Sequence, residues 1–401
     1  MIAVYCQQMS QSILLLGRQP KLGLAELESL HGQGHVAPFG DGAALLDLPA
    51  EEINFARLGG SSKLARVITS LPTANWRRIE RELIKIAPQL PRAEGKFTLG
   101  LSVYGDITHL KDIQATALRL KKSIRAQDPS QSVRISQNKS AALSSAQVIH
   151  DGLTTAKGAE LIVVRSGEHI IIGQTVAEQD IEAYAARDQG RPKRDARVGM
   201  LPPKLAQIII NLATADTAGA TLLDPFCGTG VVLQEASLMG YGVYGTDLEP
   251  RMIEYTEKNL RWLSGQYESL ANLAPQLEQG DATTHTWKPA PGIVACEGYL
   301  GQPFTGFPTS EKLREVSHTC NQIMKGFLKN IHGQLESGTR LCIGLPAWRQ
   351  KDDSFVHLNL LDSLEEMGYN RISFVHVDAK DLLYYREDQF VARELLVITR
   401  K

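Results

Sequence analysis

The chain has 401 residues, 43% of them hydrophobic and 22% charged, with a formal net charge of −1; that length predicts two to three domains and that composition an ordinary water-soluble protein. No run reaches the apolar length of a membrane span, the start from Met1 to Gln8 lacks the features of a secretory signal, and five cysteines without a C-x-x-C pair argue against a disulfide framework or a zinc site. The near-neutral charge gives no global pull toward nucleic acid, and the cytoplasm is the simplest compartment.

Residues 12 to 70 alternate short signals: an apolar run Ser12 to Leu16, helix-like spacing from Leu22 to Leu30, then Ala43 to Leu46 and Leu64 to Ile68. A second α+β stretch follows, with a strand Phe97 to Val103, an amphipathic segment Leu110 to Ile124, a strand Val133 to Ser136, a helix Ser144 to Leu153, and strands Leu161 to Val164 and Ile170 to Gln174. Prolines in Gly190-Arg191-Pro192-Lys193 and Leu201-Pro202-Pro203 mark a boundary, because each blocks helix continuation. From Lys204 the alternation is regular: helix to Leu212, strand to Asp224, helix, strand to Asp247, helix Arg251 to Leu263, and a weak strand Gln276 to Gln279 before Asp281. A strand Gly292 to Cys296, a helix Lys312 to Ile331, a strand Leu341 to Leu345, a helix Val356 to Met367 and a final pair, Ile372 to Val377 with Val391 to Thr399, complete it. The pattern predicts an α/β domain with a mostly parallel sheet.

One stretch carries chemistry. Leu222-Leu223-Asp224-Pro225-Phe226-Cys227-Gly228-Thr229-Gly230 ends a buried strand in an acid and breaks into a glycine turn ahead of a helix. Glycines there let a ligand approach the main chain beside the partial positive charge of a helix N-terminus. Tyr241 to Asp247 is a second strand ending in an acid, 17 residues after Gly230, where a doubly wound fold presents a carboxylate to ribose hydroxyls. Asp281 is a third acid at a third strand end, placed to accept from an adenine amino group. The turn has neither the G-x-G-x-x-G of dinucleotide sites nor the Lys and Ser/Thr of a P-loop, and three acids at successive strand ends suit a cationic adenosine ligand.

These residues resemble the S-adenosylmethionine-binding motifs of class I methyltransferases, and D-P-F-C-G-T-G is the form typical of enzymes that methylate amino groups of nucleic acids. Arg187 to Leu205 is similar to the junction of THUMP-domain RNA methyltransferases, especially the tRNA guanosine-N2 enzymes; Ala142 to Val148 and Tyr385 to Val391 agree with it. The resemblance implies a ferredoxin-like domain over 1–72, a THUMP-like RNA-binding domain over 73–182, a linker over 183–203 and a Rossmann-like methyltransferase domain over 204–401. It also implies S-adenosylmethionine as cofactor, held by Asp224, Pro225, Cys227, Gly228, Gly230, Asp247, Leu248, Asp281 and Ala282, with tRNA as substrate, no metal, and in some relatives a small protein subunit.

Arg187, Arg191, Lys193, Arg194, Arg197 and Lys204 outnumber Asp188 and Asp195 within eighteen residues, which points the first five to RNA phosphates. Arg119, Lys121, Lys122 and Arg125 form a second group that reads equally well as a solvated helix face.

An exocyclic amine is a poor nucleophile because its lone pair is delocalised into the ring. The family answers with D-P-P-Y/F after the fourth strand, which supplies acceptors for the amine protons and a ring to stack the base. Here Ile293-Val294-Ala295-Cys296 runs into Glu297-Gly298-Tyr299-Leu300-Gly301, so Glu297 becomes the expected amine acceptor and Tyr299 the expected stacking ring, with Gly298 loosening a turn that proline would stiffen. Two other readings remain open: a non-catalytic RNA-binding or assembly protein with a degenerate site, and a DNA amino-methyltransferase.

Overall fold

The computed structural model describes residues 11–195, 201–214, 220–302, 304 and 306–401, and the chain divides into two compact units. One holds the chain up to Pro20 with Gln33–Ala56 and Ser61–Ile181; the other holds Lys21–Gly32, Arg57–Gly60 and Glu182–Lys401.

In chain order the first part runs β1 (Ser12–Leu16), α1 (Pro20–His31), β2 (Val36–Phe39), β3 (Ala43–Leu46), β4 (Ser61–Leu71), α2 (Trp76–Ile86), β5 (Lys96–Tyr104), α3 (Leu110–Gln127), β6 (Ser132–Ile135), α4 (Ser145–His150), β7 (Gly158–Ser166) and β8 (His169–Glu178). The strands form one eight-stranded sheet in the order β2-β3-β1-β4-β8-β7-β5-β6. The boundary expected at residue 72 therefore does not interrupt the sheet, since β4 pairs antiparallel with β8 from Lys63 to Leu71. The apolar stripes of α2 and α3 (Ile79, Leu83, Ile113, Leu120 and Ile124) bury against Leu99, Leu101, Leu161 and Val163. Helix α4 stops short of the expected Leu153 because Gly152 takes φ +65° and turns the chain.

Inside that sheet lies a closed ionic cluster. Lys63 Nζ sits 2.7 and 2.6 Å from the two carboxylate oxygens of Glu160 and 3.2 Å from Glu178. Hydroxyls of Ser102 and Thr175 donate to Glu160 at 2.5 Å each. Burial works to lower the Lys63 pKa, yet Glu160, Tyr104 and Glu178 together outweigh it and hold the ammonium above its usual value.

The second unit continues with α5 (Ile181–Gln189), α6 (Pro203–Ala213), β9 (Thr221–Asp224), α7 (Val231–Leu238), β10 (Gly242–Asp247), α8 (Pro250–Ser264), β11 (Gln276–Gln279), β12 (Ile293–Glu297), α9 (Ser310–His332), β13 (Arg340–Arg349), β14 (Phe355–Val356), β15 (Tyr369–Arg371), β16 (Leu383–Tyr384) and β17 (Val391–Arg400). Its sheet runs β11-β10-β9-β12-β13-β17-β15, with β17 antiparallel to both neighbours. The order reverses between β9 and β12, which opens a crevice at their carboxyl ends.

Helix α1 packs into this unit and not into an N-terminal ferredoxin-like domain. Its Glu26 is fully buried and accepts from the Gly59 and Gly60 N–H groups at 2.9 and 2.8 Å and from Asn211 at 2.8 Å. Glu28 accepts from the N–H groups of Val375 and His376, both at 2.8 Å. Those donors are thereby withdrawn from any ladder, and the strand expected over Ile372 to Val377 forms instead as β15, three residues earlier. The helix expected from Val356 to Met367 is replaced by β14 and a single 3₁₀ turn at Asn359–Ser363. Burial of Leu358, Leu360 and Leu364, with the Leu360 N–H held by Asn321 Oδ1 at 2.8 Å, overrides the helical spacing.

Candidate active site

The carboxyl ends of β9, β10, β11 and β12 surround one cavity of about 730 Å³, within the range of small-molecule sites. Gly228 (φ +51°) and Gly230 (φ +82°) make the turn into α7 with backbone angles that glycine adopts without strain. Asp247 at the end of β10 fastens the turn: its Oδ2 accepts from the Gly228 N–H and its Oδ1 from the Glu249 N–H, both at 2.9 Å. Thr256 donates to the Gly228 carbonyl at 2.9 Å, and Asn259 donates to the Thr229 carbonyl at 2.8 Å while exchanging a pair of 2.9 Å bonds with the backbone of Lys193. Helix α8 thus ties the glycine turn to the segment ahead of α6.

Of the nine residues expected to hold the cofactor, eight line the cavity: Asp224, Pro225, Cys227, Gly228, Asp247, Leu248, Asp281 and Ala282. Gly230 does not. It caps α7, where an added Cβ would come 2.8 Å from Thr256, so its role is to let α7 and α8 approach closely. Asp224 is 2% exposed and accepts from the Phe226 N–H at 3.1 Å; burial pushes its carboxyl well above the usual range, and Asp247 and Glu297 nearby add to it. Burial likewise raises the Asp247 carboxyl. Neither acid forms an ion pair with a lysine or arginine among the described residues. Asp281 Oδ1 closes a turn onto the Thr283 N–H and hydroxyl at 2.9 and 2.7 Å, and Leu248 is exposed with its carbonyl held by Gln279. Burial pushes the Cys227 and Cys296 thiols well up, which keeps them protonated and poor nucleophiles at neutral pH.

Glu297, Gly298 and Tyr299 lie on the same cavity, with Tyr299 40% exposed. The expected looseness at Gly298 is not found. Its N–H donates to the Gly344 carbonyl at 2.9 Å, which extends the ladder, and an added Cβ would meet Met324 Sδ at 2.9 Å. A proline there would lose the bond and press on Met324. Arg393 was not expected from the sequence: its Nε donates to Glu297 Oε1 at 2.6 Å, both side chains being largely buried. The available signal was an Arg-Glu pair inside the otherwise apolar strand Val391 to Thr399.

The basic cluster divides. Arg187 is buried and makes a two-pronged bond to Glu235 at 2.7 and 3.2 Å, and Arg191 is 3% exposed with Asp188 3.9 Å away, so neither presents its charge to a phosphate. The sequence pattern could not separate Arg187 from true surface cations, because Glu235 lies 48 residues along the chain. Lys193 is half-buried with its ammonium 5.2 Å from the Tyr255 ring centre, Arg194 is exposed, and Arg197 lies outside the described residues. Among the described residues no helix is long and apolar enough to cross a membrane, and no group of three or more His, Cys, Asp or Glu side chains could hold a metal.

The sheet order, the glycine turn and the acids at the strand ends are those of the class I Rossmann-like methyltransferase fold. TrmN from Thermus thermophilus shares the fold with a TM-score of 0.52 at 16% identity, over 98% of this chain and all of that one. Residues 191–265 match the UPF0020 family, described as RMKL-like, methyltransferase domain. A tRNA (guanine(10)-N2)-dimethyltransferase of Methanothermobacter thermautotrophicus is 36% identical over 149 residues, and the protein of that name from Pyrococcus abyssi is 36% identical over 102 residues. The matched stretches span 37% and 25% of this chain and 39% and 30% of those relatives.

Proposed function

We propose that this chain transfers a methyl group from S-adenosylmethionine to the N2 amine of a guanosine in tRNA. The carrying observation is a cavity at the sheet's reversal point in which three carboxylates, Asp224, Asp247 and Glu297, stand together. Among the described residues two of them, Asp224 and Asp247, have only backbone donors for partners, a set that suits a cationic ligand with a ribose diol. Relatives named for guanine-N2 methylation of tRNA support the substrate.

S-adenosylmethionine fits the residues present: Asp247 would take its ribose hydroxyls, Leu248 and Asp281 its adenine, and the Gly228 turn would lie along its amino-acid part. Bound there, it supplies an electrophilic methyl group on a sulfonium centre. Glu297 accepts a hydrogen bond from an N–H of the guanine amine, which favours the state in which that nitrogen gains positive charge. Tyr299 stacks the base, extruded from the RNA, and the apolar cavity walls exclude water. The first unit serves as a THUMP-like RNA-positioning half, with Lys193 and Arg194 as phosphate contacts, and the protein works in the cytoplasm.

The test is to incubate the full chain with labelled S-adenosylmethionine and either unmodified tRNA or duplex DNA, then to digest and separate the nucleosides. The expected product is N2-methylguanosine or its dimethyl form from tRNA alone. Label in DNA would overturn the substrate, and binding of both ligands without transfer would make the chain a non-catalytic RNA-binding protein.

A further inference from the structure

We propose that Arg393 is the positioning residue of this site, pinning one oxygen of Glu297 so that the other faces its substrate; the proposal rests on the functional reading above. Glu297 is one methylene longer than the acid of the family motif, and a longer side chain has one more rotatable bond to fix before it holds a reactive geometry. The Arg393 Nε–H···Oε1 bond of 2.6 Å, in a setting where both side chains are mostly shielded from water, supplies that restraint.

The sheet register makes the reach possible. Glu297 on β12 stands opposite Gly344 on β13, and Arg393 on β17 stands opposite Pro346, so all three positions share one face two strands apart. Gly344, between them on β13, carries no side chain, and the Arg393 side chain crosses that strand to reach Glu297. Among the described residues Arg393 forms an ion pair with no other acid: the adjacent Glu394 takes His357 at 2.7 Å and Arg371 at 3.5 Å. A buried arginine in a run of buried Ala392, Leu395, Leu396 and Val397 is costly unless paired, and Glu297 is its pair. The Gly298 bond to Gly344 holds the backbone and Arg393 holds the side chain, so the pair stands in for the rigidity that proline supplies elsewhere.

The test compares the full chain with Arg393→Ala, Glu297→Gln and the double variant, by single-turnover transfer to tRNA with saturating cofactor. Arg393→Ala is expected to be about 10- to 100-fold slower, with cofactor and tRNA affinities within about twofold of the parent and partial recovery in millimolar guanidinium. The double variant should be no slower than Glu297→Gln alone. Multiplying losses, or weakened cofactor binding in place of slowed transfer, would overturn the proposal. Arg393→Lys keeps the charge and serves if the alanine variant does not fold; it should retain part of the rate. A parent that transfers no methyl defeats the functional reading instead, and the positioning claim is then read from amide hydrogen exchange over residues 298–301. That exchange should quicken about fivefold or more in Arg393→Ala, and unchanged exchange would overturn it.

Discussion

Both units bury carboxylates, and they treat them differently. In the first, Glu160 is fully buried, with Lys63 within 2.7 Å and two hydroxyls besides. In the second, Asp224 and Asp247 line a cavity with backbone N–H groups as their partners. A buried carboxylate with an internal counter-ion holds a fold together; a buried acid facing a cavity without one, its carboxyl pushed up by burial, marks where a cationic ligand belongs. Glu297 stands between the two cases, on the cavity yet paired with Arg393.

Removing the counter-ion is the strongest way to break the contrast. Lys63→Met leaves Glu160 and Glu178 buried without a cation, which should cost about 3 to 5 kcal/mol. Hydrogen exchange in β4, β7 and β8 should accelerate accordingly, while S-adenosylmethionine affinity stays the same. Unaltered protection of those strands would show that the cluster contributes nothing.

Glu26 sharpens the contrast, because it is a buried carboxylate that makes no salt bridge among the described residues and is held by Asn211 and two backbone N–H groups. Burial pushes its pKa from 4.5 up to about 7, against the pull of Asn211 and the Gly60 and Gly59 N–H groups. The folded state therefore holds a proton that the unfolded state releases; the associated stability is present below pH 4.5 and is lost as pH rises through about 7. Glu26→Gln should remove that slope, so unfolding free energies of parent and variant should diverge by about 3 kcal/mol between pH 4.5 and 8. Parallel stability profiles in urea titrations across that range would contradict the assignment.

At the cavity, Asp247→Ala should weaken S-adenosylmethionine binding by about 1 to 3 kcal/mol, about 5- to 150-fold, since a carboxylate-to-hydroxyl bond is partly offset by desolvation. The same change frees the Gly228 N–H. Calorimetry showing the parent's affinity, with the fold intact, would remove Asp247 from the site.

Much of this was legible in the sequence because it is local. Strand ends, the glycine turn and the acids at 224, 247 and 281 follow from residue type and spacing, and β1 and β3 have the bounds that their apolar runs predict. What escaped depends on partners far along the chain. Arg187 and Arg191 carry the same letters as a phosphate-binding patch, and only the packing around them, with the distant Glu235 paired to Arg187, makes them interior. Helix α2 was missed because just three of its eleven residues, Ile79, Leu83 and Ile86, are buried in a strongly charged segment. Helix α1 reads correctly as a helix but packs against a segment 185 residues along the chain, through Glu26 and Asn211. Arg393 belongs to the same class of surprise.

Single-turnover methyl transfer to tRNA by the parent and by Glu297→Gln, at saturating cofactor, tests the central claim most directly. The variant keeps size but offers a neutral amide in place of an ionised acceptor. Loss of one such contact predicts transfer about 10²- to 10³-fold slower with tRNA binding near that of the parent. Equal rates would contradict the assignment of Glu297 as the amine acceptor.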